Sequence, residues 1–81
     1  MNTKKTNDAL VAYKDHLREI STLLLDAMGR VDDLRESVTG RHVTWADVGS
    51  LARTRELAVQ AAWSLGTITS EEAKEKHGVI L

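Results

Sequence analysis

Histidines at 16, 42 and 77 are the only imidazole ligands in this 81-residue chain, and with no cysteine it has no thiolate ligand. They are too widely scattered for a zinc-type spacing. His16 and Glu19 form one His-x-x-Glu pair with Arg18 between them. Helical bundles assemble metal centres from such pairs, but only when carboxylates and histidines converge from several helices. Later in the chain the matching polar face offers only Asp47 and Glu56, so no metal site is expected. Ser21, Ser37, Ser50, Ser64 and Ser70 have no histidine placed by spacing to act as their base. The residues therefore predict a protein without catalytic residues, cofactor or metal.

Arg55 stands out because it occupies a position that its neighbours reserve for apolar side chains. A guanidinium there either packs its stem on Ala27 and reaches Asp26 or water, or serves as a register device or as an anchor for a partner's carboxylate. Trp45 and Trp63 lie on one side of the same segment. In a chain without phenylalanine they read first as core fillers, and second as interface residues. Leu57 sits among Arg53, Glu56, Gln60 and Ser64, and with Ala61 and Leu65 it suggests a contact strip. Together with Leu25, which points away from the main apolar stripe, residues Trp45, Arg55, Leu57 and Trp63 make the candidate protein-interaction set.

A second set, Arg30, Arg35, Arg41, His42 and Arg53, is the best candidate for nucleic acid. Acidic neighbours dilute it, since Asp26, Asp32, Asp33, Glu36, Asp47 and Glu56 fall in the same half of the chain. Residues 68–79 have the look of the first half of a helix-turn-helix. However, Lys74 stands where a small residue is wanted, and only three residues follow Gly78, leaving no recognition helix.

Behind these residues stands a helical framework. Leu10, Tyr13, Leu17, Ile20, Leu24, Ala27, Val31, Leu34 and Val38 alternate steps of three and four, which keeps one stripe of a helix facing a partner. The pattern predicts a helix over about 7–38, roughly 48 Å long at 1.5 Å per residue. Thr6 or Asn7 is its expected cap, and residues 1–6 are expected to form a flexible lead-in. Gly40 is placed as a stop. Thr44 to Asp47 is a capping-box variant opening a second helix over 45–65, which ends at Gly66. Thr69 to Glu72 is a full capping box opening a third over 70–77, with Ile68 and Ala73 as its staple and Gly78 as its stop.

The short connection after residue 38 makes the second helix an antiparallel neighbour of the first. Zipping the two stripes pairs Leu34 with Val48, Val31 with Ala52 and Leu24 with Val59, and leaves Leu10, Tyr13 and Leu17 uncovered. Val79, Ile80 and Leu81 are expected to fold back over that end.

Composition agrees with an all-α protein. The chain has no proline, 42% hydrophobic residues, and a formal charge of −1 from 11 basic and 12 acidic side chains, which gives no general attraction to nucleic acid or an acidic membrane. No apolar run approaches the ~18 residues of a membrane span. A cytoplasmic protein is expected. At this size a lone core is small, and association is a common supplement. The sequence thus predicts a long antiparallel helical hairpin plus a short C-terminal helix, forming a homodimeric bundle. Its expected function is that of a small interaction module, a regulator, adaptor or inhibitor that binds another protein. The alternative is a dimeric hairpin that binds structured RNA through its arginine-rich loop end.

Overall fold

A computed structural model describes residues 2–40 and 42–81. Among these the chain is all-helical, and it divides into two units, Met1–Arg41 and His42–Leu81.

The first unit is one helix, α1 (Asn2–Ser37), followed by a 3-10 turn over Val38–Gly40. Its 36 residues span about 54 Å. The helix begins at Asn2, so the expected cap at Thr6 or Asn7 falls within it, and the residues read as a lead-in are helical from the second position onward. Asp8 accordingly lies beyond the first turn, which contains no acid. At the other end Ser37 donates its hydroxyl to the Leu34 carbonyl at 3.1 Å, and the chain tightens into the 3-10 turn. The 3-10 turn ends at Gly40, the glycine placed as a stop, which does so without a positive φ. The expected seam is exposed along its length: Leu10, Leu17, Leu24 and Val31 each keep nearly half their surface, and only Leu34 is half-buried.

The second unit contains α2 (Trp45–Ser64) and α3 (Ser70–His77). Both start as the sequence predicts. The Thr44 hydroxyl accepts from Asp47 N–H at 3.2 Å, while the Asp47 carboxylate accepts from Thr44 N–H at 3.0 Å. At Thr69 and Glu72 the same reciprocal pair measures 3.1 Å in each direction. Each box satisfies two amide groups that the first turn of a helix leaves without partners.

Helix α2 ends in a Schellman motif. Thr67 N–H reaches Ala62 O at 2.9 Å and Gly66 N–H reaches Trp63 O at 3.0 Å, with Gly66 at φ +82°. Gly78, at φ +68°, ends α3 with its N–H on the Lys74 carbonyl at 3.0 Å, and Val79 N–H reaches Ala73 O at 3.0 Å. These turns bring α3 back against α2. The core of this unit is Val59, Ala73 and Val79, with Ile68 packed on its edge.

Of the C-terminal residues, Val79 is buried on Val59 and Ala73 within its own unit, whereas Ile80 is 84% exposed. The reason is geometric. A left-handed glycine directly after α3 turns Val79 back onto its own helical pair.

Candidate interaction site

On α2, Leu57, Gln60, Ala61 and Ser64 recur at steps of three, one and three, so they share one face of the helix. This face forms the floor of a groove. Trp63 lies beside it, and Ile80 and Leu81, delivered by the turn at Gly78, complete the wall. The groove is open to solvent and has a volume of about 650 Å³. Four large apolar side chains line it: Leu57, Trp63 and Leu81 are half-exposed and Ile80 is almost wholly so. Gln60 and Ser64 supply hydrogen-bonding groups. Apolar walls with a few polar points are the composition of a peptide or helix docking surface.

Three devices hold this surface in place. The capping box fixes where α3 begins, and the burial of Ala73 and Val79 on Val59 fixes how it packs. The third is Arg55, whose Nη1 donates to the carbonyl oxygen of His77 at 2.8 Å. This acceptor lies within the same unit, on the helix that packs against α2. The guanidinium meets the last turn of α3, where unpaired carbonyls carry the negative end of the helix dipole. Its position on the apolar stripe is accounted for, because the stripe of α2 here faces α3. Sequence reading missed this contact, although the signal was present: Arg55 is one helical turn before Val59, and α3 ends with carbonyls that lack helical partners.

Glu72 joins the cap to the surface charges. Its carboxyl is held below the ordinary glutamate range, chiefly because it accepts from Thr69 N–H, and secondly because of Lys76 at 3.3 Å.

The remaining candidates are dispersed. Trp45 is 86% exposed and has no packing partner in the core of its own unit. It lines a separate hollow of about 540 Å³ with His42, Val43, Thr44 and Val48. Trp63 is also exposed, at 46%. Leu25 is 68% exposed on α1, in the other unit. Of the arginine set, Arg30 and Arg35 belong to the first unit, His42 and Arg53 to the second, and Arg41 lies outside the described residues. Arg35 pairs with Asp32 at 3.9 Å and Arg53 with Glu56 at 3.4 Å, both on exposed helix surface. His16 and Glu19 lie on α1, and among the described residues no three histidine or carboxylate side chains cluster closely enough to hold a metal ion. No described helix is long and apolar enough to cross a membrane.

Comparison with protein-family models, with curated proteins and with solved structures finds no match to this chain.

Proposed function

We propose that the chain is a small protein-interaction module, a regulator, adaptor or inhibitor that acts by occupying the surface of another protein. One observation carries this reading: a groove walled by Leu57, Trp63, Ile80 and Leu81 stays open while the helices that form it are fastened by two capping boxes, a buried Ala73 and the Arg55 bond. Exposed apolar side chains cost solubility, and a scaffold that holds them rigidly outward lowers the entropic cost of docking. The occupant that suits the groove is an apolar helix or extended segment offering one or two polar groups to Gln60 and Ser64.

Affinity capture from the native host with the unaltered chain, alongside Leu57→Ser and Trp63→Ala, tests the reading. The expected result is a protein retained by the native chain and lost from both variants, with circular dichroism unchanged. Equal retention by all three chains contradicts it. Retention of nucleic acid with steep salt dependence also contradicts it, and favours the RNA-binding alternative through Arg30, Arg35, Arg41, His42 and Arg53.

A further inference from the structure

We infer that residues 69–81 form a strap that docks on α2 and leaves it in one step, and that the groove beside Trp63 is complete only while the strap is docked. The motion lies within the second unit, and only its consequence for a partner rests on the groove being a docking surface. The strap is α3 with the turn at Gly78 and the apolar end that follows it. Its attachments to α2 are few. Ala73 and Val79 bury against Val59, and among the described residues one hydrogen bond crosses between the two pieces, from Arg55 Nη1 to the carbonyl oxygen of His77.

The other bonds fall on one side or the other of Ile68. On the α2 side, Thr67 places both its N–H and its hydroxyl on the Ala62 carbonyl, each at 2.9 Å, so the end of α2 is closed without help from α3. On the strap side, the reciprocal bonds of Thr69 and Glu72, the Lys76 ammonium on the Glu72 carboxylate at 3.3 Å, and the carbonyls that accept from Gly78 and Val79 are all internal. Ile68 is thus a joint between two separately capped pieces.

Cooperativity follows from length. A helix of 8 residues is too short to persist in water once it leaves α2, so its capping box, the Gly78 turn and the burial of Ala73 are gained and lost together. Helix α2 has 20 residues and caps of its own at both ends, so it outlasts the strap. When the strap is docked, Ile80 and Leu81 stand as the wall of the groove; when it is released, the floor of Leu57, Gln60, Ala61 and Ser64 remains without that wall. A partner that touches the wall therefore holds the strap down. Arg55, which does not line the groove, is a positioning residue that sets how much of the chain is ready to bind.

Native-state hydrogen exchange on the full chain reads the release. The amides of Ala73, Gly78 and Val79 should share one opening, at lower free energy than amides in the middle of α2. Arg55→Ala should raise exchange of all three by one factor, roughly fivefold, and leave α2 unchanged. Trp63 reads the wall. In a Trp45→Phe background it is the only tryptophan, and Ala73→Asp puts a carboxylate into a site with no exposed surface, which should release the strap. Trp63 emission should then move to longer wavelength and its quenching by acrylamide should increase, with only the α3 share of helicity lost. Neither readout uses a partner, so a failed capture leaves both standing. Unequal opening of the three amides, or loss of α2 protection in the same opening, overturns the strap, as does loss of α2 helicity together with α3 in Ala73→Asp. An unmoved Trp63 signal in that variant overturns the strap's hold on the groove.

Discussion

The first unit is a single long helix and the second is closed on itself, and the two differ in what fixes them. In α1, 36 residues carry an almost unbroken apolar stripe and leave it exposed. In the second unit two shorter helices bury only Val59, Ala73 and Val79, yet nearly every turn between Thr44 and Val79 has a local device that fixes it. Repetition specifies a helix that needs a neighbour. Caps, left-handed glycines and one arginine specify how two helices meet.

The largest expected effect falls on the tightest point of the second unit. Ala73 has no exposed surface, so Ala73→Leu should overpack the α2–α3 contact and destabilise it by about 1–3 kcal/mol, read as an earlier thermal transition. If the melting curve is unchanged, α3 does not dock where the structure puts it.

Glycines sharpen the comparison, because the same substitution should act with opposite sign in the two units. Gly78 sits at φ +68° with open space around an added Cβ, so Gly78→Ala meets only the backbone cost of the left-handed conformation, about 1–2 kcal/mol. Gly29 lies within α1, also with nothing near an added Cβ, and Gly29→Ala should favour that helix by about 1 kcal/mol. Helicity and melting temperature should move down for the first variant and up for the second.

Arg55→Ala should cost about 1 kcal/mol, since the lost bond is charge-assisted but lies on exposed surface. The sharper readout is hydrogen exchange at Gly78 and Val79, which should quicken in Arg55→Ala and in Arg55→Leu alike. Were Arg55→Leu to restore protection, packing of the stem rather than the bond to His77 would hold α3.

The smallest effect depends on pH. The Glu72 carboxyl titrates lower in the folded chain than in the unfolded one, first because of Thr69 N–H and then because of Lys76. Its contribution is therefore fully present above the ordinary glutamate value of about 4.3, and is lost as pH falls through the lower folded value. Helix α3 should loosen in that acid range, and Glu72→Gln should flatten this part of the profile when α3 is followed by exchange or by NMR shifts.

Much of this was legible in the sequence, for identifiable reasons. Both capping boxes and the stops at Gly66 and Gly78 are short-range signals, each decided within about six residues, and all four appear where the spacing puts them. The helical period of α1 was equally legible, but its first residue was not, because the polar residues 2–6 carry no periodicity to mark a boundary. Tertiary destinations were harder. Val79 and Arg55 were both recognised as requiring partners, yet their partners are set by the turn angles at Gly66 and Gly78, and a stripe pattern carries no such angles. The groove was seen in halves: Leu57 and Ala61 as a strip, and Ile80 and Leu81 as an apolar tail. Only the returning chain joins them.

Helices α2 and α3 hold each other within the second unit, through the burial of Val59, Ala73 and Val79 and through the bond from Arg55 to His77. Amide hydrogen exchange on the unaltered full chain reads this most directly. The amides of Ala73, Gly78 and Val79, each bonded to a carbonyl of the same turn, are expected to exchange far more slowly than an unfolded chain. Exchange of all three at the unfolded-chain rate would show that α3 does not dock on α2.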